Sequence, residues 1–208
     1  MRTEEESKFI CNIDGENVKI KVPVGGIHFV YNALASIMVG KILGLNNTQI
    51  KHGIESFELT KKRMDITKLE NGVTIINDSY NASLESMQAS LKYLKDLKCE
   101  RKIAVLGDML ELGKFTQELH QKVGKEVSEN KIDILICSGE YSKYIIEEAK
   151  RSGMKEEQIY YFDTKDDIEK QIKKIWKNGD AILFKASNGM KFFEIAESLL
   201  KEERGSMV

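Results

Sequence analysis

From residue 61 onward, short apolar runs alternate with stretches of helical period, and this alternation restricts the fold more than any other feature of the chain. Residues 73–77, 102–106, 132–137, 159–162 and 181–185 read as strands. Between them, apolar residues recur at helical spacing: Leu84, Met87, Leu91 and Leu94, then Phe115, Leu119, Val123 and Val127, then Ile168, Ile172 and Ile175. Residues 141–151 form a further helix stopped by Gly153. Thr164 caps the helix that Asn178-Gly179 ends, and residues 192–200 form the last one. Residues 63–69 make an additional strand, turned onto 73–77 by Asn71-Gly72. The pattern predicts an α/β fold, a Rossmann-like and mainly parallel sheet with helices on both faces. Right-handed crossovers then align the loops after 73–77, 102–106, 132–137 and 181–185 along one sheet edge, where ligands of such sheets bind.

The first 57 residues follow another pattern. Residues 7–13 and 17–22 alternate as strands and are joined by Asp14-Gly15, a hairpin signal, and Pro23, the only proline, ends the second. Gly25-Gly26 leads into a helix expected to pack through Val30, Leu34, Ile37 and Met38 and to stop at Gly44. Asn47 or Thr48 is the expected cap of a second helix carrying Ile50, Ile54 and Phe57. A hairpin and two helices are too little to close a core alone.

Composition excludes several classes. The 208 residues carry 32 Lys+Arg against 33 Asp+Glu, a net charge of −1, which leaves no basic footprint for nucleic acid or an anionic membrane. No apolar run approaches the roughly 18 residues of a membrane-spanning helix. The acidic start, Met1 to Glu6, has no apolar stretch of the signal-peptide kind. Cys11, Cys99 and Cys137 lie far apart, and with only His28, His52 and His120 no metal-ligand spacing appears. The expected setting is reducing and cytoplasmic, without membrane insertion and without nucleic acid as partner.

IAVLGDMLELGKF (103–115) invites comparison with a triphosphate-binding loop and fails it. Its spacing, Gly-x5-Gly-Lys, is one residue too long, Phe115 replaces the magnesium-holding Ser/Thr, and Asp108 and Glu111 oppose a polyphosphate. No GxGxxG occurs either.

Four patches are hard to explain by packing. His28 and Asn32 share the face of a first helical turn. Asp78, Tyr80 and Asn81 lie in NDSYNAS (77–83), directly after a strand. Asp108 and Glu111 lie in GDMLELG (107–113), with His120 one turn into the next helix. Lys185, Ser187 and Asn188 close the last strand. Each reads alternatively as turn, cap or solvated-surface chemistry. Three of the four nevertheless fall on the same predicted edge. There, Asp78 is placed to accept hydrogen bonds from ligand hydroxyls and Lys185 to neutralise an anion. Arg63, in KKRM (61–64), is either a phosphate contact or part of a solvated charge run.

Together, GIHFVYNALAS (26–36), KRMD (62–65), NDSYNASLESM (77–87), AVLGDMLELG (104–113) with His120, and GDAILFKASNGM (179–190) resemble the Mur ligases. Within that family they are most similar to the member that joins D-Ala-D-Ala to UDP-MurNAc-tripeptide in peptidoglycan synthesis. The resemblance implies a three-domain enzyme that uses ATP with Mg2+. Residues 1–59 would be the tail of its central ATPase domain, 60–204 its Rossmann-like C-terminal domain, and 205–208 a frayed tail. The phosphate-binding loop and the UDP-binding domain are absent from these residues, which points to a ligase inactive alone and partnered by the missing N-terminal half.

By the same resemblance, Asn32 and His28 lie near the adenine, Arg63 reaches the phosphates, and Asp78 holds the ribose. Tyr80 and Asn81 line the nucleotide and acceptor site. Lys185 and Ser187 face the dipeptide, with Arg63 and Lys185 in the catalytic role. Asp108, Glu111, His120 and Asn188 complete the expected substrate side. The segment 58–62 would be a hinge. The chain departs from the family pattern at Phe29 (commonly Asn), Ser83-Leu84 (commonly Asn-Pro) and Asn188 (commonly Arg). Two rival readings are a non-catalytic nucleotide- or dipeptide-binding module that docks on a P-loop partner, and a stand-alone acid–base enzyme using Asp108, Glu111 and His120.

Overall fold

The computed structural model describes residues 6–58 and 62–205, with side chains given to residue 201. The chain divides into two compact units, residues 1–60 and 61–208. Most of the expected hinge, residues 59–61, and the expected tail from 206 lie outside the described residues.

In the first unit, β1 (Ser7–Ile13) and β2 (Glu16–Val22) form an antiparallel hairpin, followed by α1 (Ile27–Ile42) and α2 (Asn47–Glu55). Ile13, Val18, Ile20, Val22, Ile37 and Ile50 are among the residues that make its small core. Two expectations are corrected. α2 is capped by Asn46, one residue earlier than expected, because Asn46 and Gln49 form a reciprocal capping box. α1 buries Phe29, Ala33, Ile37 and Gly40, whereas Met38 is exposed. α1 is apolar nearly all round, so its sequence pattern alone does not select the buried side.

The second unit holds a six-stranded sheet in the order β3-β4-β8-β5-β6-β7. These are β3 (Asp65–Lys68), β4 (Thr74–Asn77), β5 (Arg101–Gly107), β6 (Ile134–Ser138), β7 (Ile159–Tyr161) and β8 (Asp180–Lys185). β3 runs antiparallel to β4 and every other pairing is parallel. The helices are α3 (Leu84–Asp96), α4 (Thr116–Glu129), α5 (Ser142–Arg151), α6 (Lys165–Ile175) and α7 (Phe193–Gly205).

α6 and α7 cover one face, where Ile168, Ile172, Ile195 and Leu199 pack on Ile75, Ile182, Ile103 and Val105. Strand alternation sends Ile76, Leu183, Ala104 and Leu135 to the other face, which α3, α4 and α5 cover in contact with one another. Each fully buried Ile, Leu or Phe contributes about 1.5–3 kcal/mol, so these two layers dominate the stability of the unit. At the strand starts, Arg101 grips the buried Asp180 with two parallel hydrogen bonds of 2.8 and 2.6 Å, clamping β5 to β8.

The α4 stripe begins later than expected. Phe115 sits in a 3-10 turn and is exposed, and His120 takes a buried place beside Val123 and Val127. α4 and α5 approach so closely at Gly124 that an added Cβ would lie 2.8 Å from Glu148 Cβ and closer still to the Ile145 carbonyl oxygen. Ala at this position would gain about 1 kcal/mol of helix propensity, but backbone atoms cannot yield as a flexible side chain would, and overpacking costs about 1–3 kcal/mol or more. Gly124→Ala is therefore expected to lower the urea midpoint. A rise would show that the two helices have room to separate.

Candidate functional site at one edge of the sheet

β4, β8 and β5 are neighbours, so the loops that leave their C-terminal ends lie side by side. The first cluster is built on β4 and β8. Asp78 and Lys185, 9% and 1% exposed, form an ion pair of 2.7 Å between Nζ and Oδ2. Ser90 of α3 donates its hydroxyl to the same carboxylate oxygen at 2.6 Å, and the Met64 amide donates to Oδ1 at 3.2 Å. Lys185 Nζ also donates to the carbonyls of Asp78 (3.2 Å) and Asn81 (3.1 Å), so its three protons are all engaged within the protein. Desolvating two charges is costly, but removing one partner of such a pair costs more, about 3–5 kcal/mol, because the other is left buried and unpaired.

This pair holds an unusual backbone. Lys62 and Met64 adopt left-handed φ angles of 71° and 47°. Such angles are uncommon outside glycine and persist where the surroundings enforce them. Here the Met64 amide is tied to Asp78, and the Lys62 carbonyl accepts from the Tyr80 amide at 2.9 Å. Lys62 Nζ stands 3.1 Å from the Phe193 ring centroid, and the Arg63 guanidinium stands 4.1 Å from that of Tyr80. The result is an exposed guanidinium stacked on an aromatic ring, on a segment fixed from both sides.

The second cluster is built on β5. Asp108, buried at the loop start, accepts from the backbone amides of Tyr141 (3.1 Å) and Ser142 (2.7 Å) at the start of α5. Its carboxylate occupies the space where a side chain on Gly139 would otherwise sit, and Gly139 has φ 123°. Ser187 donates its amide to the Asp108 carbonyl at 3.0 Å and accepts from the Leu110 amide through Oγ at 2.9 Å.

His120 is fully buried and bridges the loop to its helix. Nε2 accepts from the Met109 amide at 3.0 Å, and Nδ1 lies 2.6 Å from the Thr116 carbonyl. An amide only donates and a carbonyl only accepts, so these partners require the neutral ring with its proton on Nδ1.

The edge thus separates two sets of expected residues. Asp78, Lys185, Asp108, His120 and Ser187 are buried and hydrogen-bonded within the protein. Arg63, Tyr80, Asn81, Glu111 and Asn188 face solvent. His28 and Asn32 belong to the first unit: the His28 ring centroid lies 4.3 Å from that of Phe29, and Asn32 is exposed. Sequence reasoning missed Ser90, whose single hydroxyl carries no motif, and the backbone amides of Met64, Tyr141 and Ser142. Gly139 was the available signal for the last two. Among the described residues no three His, Cys, Asp or Glu side chains gather as metal ligands.

Residues 62–188, more than half of the chain, match the family model described as Mur ligase, glutamate ligase domain. Over 201 residues the chain is 35% identical to the UDP-N-acetylmuramoyl-tripeptide--D-alanyl-D-alanine ligase of Bacillus subtilis (strain 168), covering 96% of this chain and 43% of that protein. The ligase of the same name from Synechocystis sp. is 32% identical over 200 residues, covering 94% of this chain and 43% of its own length. A crystal structure of MurF from Acinetobacter baumannii matches with a TM-score of 0.84 at 22% identity, over 97% of this chain and 43% of that one. MurF from Thermotoga maritima, crystallised with ADP, matches at 0.79 and 24% identity, over 98% and 45%. These two likenesses establish the fold. The chain spans less than half the length of the relatives it matches.

Burial lowers the pKa of His120 below its ordinary value, against opposing effects of the Thr116 carbonyl and the Asp108 charge. The unfolded chain then binds more protons than the folded one as pH falls through and below the ordinary 6.5, so stability is lost in that direction. His120→Gln is expected to flatten this acid-side loss in urea titrations. An unchanged slope would mean that His120 does not carry it.

Proposed function

The chain belongs to the Mur ligase family, and we propose that it supplies the C-terminal portion of an ATP-dependent ligase that adds D-Ala-D-Ala to UDP-MurNAc-tripeptide. In that reaction the tripeptide carboxylate takes the γ-phosphoryl group of ATP, giving ADP and an acyl phosphate. The dipeptide amine then attacks the acyl carbon, an amide forms, inorganic phosphate leaves and the amine gives up a proton. Mg2+ would be held elsewhere in the enzyme. The cytoplasm, where ATP is available, is the proposed setting.

The observation that carries this reading is the exposed Arg63 guanidinium stacked on Tyr80 at the C-terminal edge of a parallel sheet. A planar, permanently charged fork suits phosphate oxygens, and one already immobilised loses little further freedom when it engages them. Tyr80 orients the fork, and Asn81 offers donor and acceptor groups beside it. Glu111 and Asn188 are the proposed contacts on the dipeptide side. Asp78, Lys185, Asp108, His120 and Ser187 act as positioning residues that hold these groups. Catalysis of this kind is chiefly alignment and neutralisation of transferring charge.

Phosphate release from ATP, dependent on both substrates, is the test. The chain alone is expected to be silent. It is expected to become active when mixed with the part of the B. subtilis ligase that lies outside the matched stretch. Arg63→Ala should cut the activity of the mixture by about 10²-fold or more, the scale seen when one donor to developing charge is removed. Turnover by the chain alone, a silent mixture, or an Arg63→Ala mixture as active as wild type would overturn the reading.

A further inference from the structure

The loops after β5 and β8 are built into one another. Gly107, the last residue of β5, lies so close to the second loop that an added Cβ would stand 2.8 Å from Ala186 Cβ and 2.8 Å from the Phe192 ring. One residue on, the Asp108 carbonyl accepts from the Ser187 amide, and Ser187 Oγ accepts from the Leu110 amide. The Leu110 side chain then lies against Gly189, where an added Cβ would stand 3.2 Å from Leu110 Cδ1. Glu111, next along, is held at a left-handed φ of 64°. At this junction Leu110, Glu111 and Asn188 stay exposed, while Met109 is fully buried. A single exposed leucine on a free surface needs no explanation. This one has its amide tied to Ser187 and its flank set against Gly189, so its place is fixed, yet 37% of it remains open.

We propose that Leu110, backed by Gly189, receives a methyl group of the dipeptide and sets the preference for alanine over glycine in it. The inference rests on the ligase reading above, which puts the dipeptide beside Glu111 and Asn188, and it names the residue that selects among dipeptides there. The ammonium, amide and carboxylate of D-Ala-D-Ala are equally present in Gly-Gly, and only the methyl groups differ. Glu111 and Asn188 offer charge and hydrogen bonds, which suit the shared groups. Leu110 offers neither, and it is the exposed side chain of the three that can read the difference. A missing carbon in an apolar contact costs about tenfold or more in discrimination, so one well-placed leucine is enough to be measured.

The test follows phosphate release with D-Ala-D-Ala and with Gly-Gly, in the mixture of this chain with the unmatched part of the B. subtilis ligase. Leu110→Ala is expected to lower the ratio of the two kcat/KM values by about tenfold, through KM rather than kcat. Leu110→Met, an apolar side chain of similar volume, should keep the ratio within about threefold of wild type. Amide exchange at Met109 and Leu110 should be the same in wild type and Leu110→Ala. Faster exchange would make the effect a loosened loop and overturn the assignment. With isotope-labelled leucine methyl groups in this chain, the Leu110 signals of the mixture should move on adding D-Ala-D-Ala and stay in place with Gly-Gly at the same concentration. A ratio unchanged in Leu110→Ala, a ratio lost equally in Leu110→Met, or Leu110 signals that ignore D-Ala-D-Ala or answer equally to Gly-Gly would overturn the proposal. The ligase reading is judged separately. Turnover with an unchanged ratio leaves that reading standing without the Leu110 contact. A silent mixture whose Leu110 signals still answer only to D-Ala-D-Ala leaves the contact without the ligase reading.

Discussion

One buried ion pair organises the C-terminal edge of the parallel strands. Lys185 emerges at the end of a strand whose every residue is buried, and it meets Asp78 at the end of the neighbouring strand. Neither charge is tolerable there alone. Together, with Ser90 and three backbone groups, they saturate each other. The consequence is geometric. The loop after β4 is fastened to β8, and the segment before β3 is fastened to that loop in a backbone conformation that it would not otherwise hold. Arg63 and Tyr80 owe their mutual position to this frame.

The loop after β5 is held by the same logic with weaker parts. Asp108 satisfies the first amides of α5, Ser187 and His120 satisfy amides within the loop, and a neutral imidazole is the only form of His120 that fits both of its neighbours. Across both loops, residues of catalytic type form an internal scaffold, and a smaller exposed set remains to meet a ligand. Preorganisation of this kind suits phosphoryl-transfer chemistry, where alignment and charge placement do most of what the protein contributes.

Much of the fold was legible in the sequence because alternation of strand and helix patterns is a global signal, repeated many times. The mainly parallel sheet follows from it, and the β3–β4 turn at Asn71-Gly72 and the Thr164 cap were legible as local signals. Local competition was less legible. Asn46, Asn47 and Thr48 are all capable caps, and only the reciprocal partner Gln49 selects Asn46. α1 offered two apolar sides, and packing chose one. Sequence placed Asp78, Lys185, Asp108 and Ser187 after the C-terminal ends of β4, β8 and β5, with His120 in the helix that follows, and the structure has them there. It gave no sign that they face inward, because which partner a polar group finds is decided by tertiary placement. Ser90 lay beyond reach for the same reason.

The most direct test of the organising role of the ion pair is native-state amide hydrogen exchange at Met64 and Tyr80, in the wild type and in Lys185→Met. These two amides bond to Asp78 and to Lys62. In the wild type they are expected to exchange as slowly as amides of β4 and β8. In the variant they are expected to lose protection while the β5–β6 ladder keeps its own, the signature of a locally released edge. Fast, loop-like exchange at both amides in the wild type, or protection unchanged in the variant, would contradict the claim that the Asp78–Lys185 pair holds this edge together.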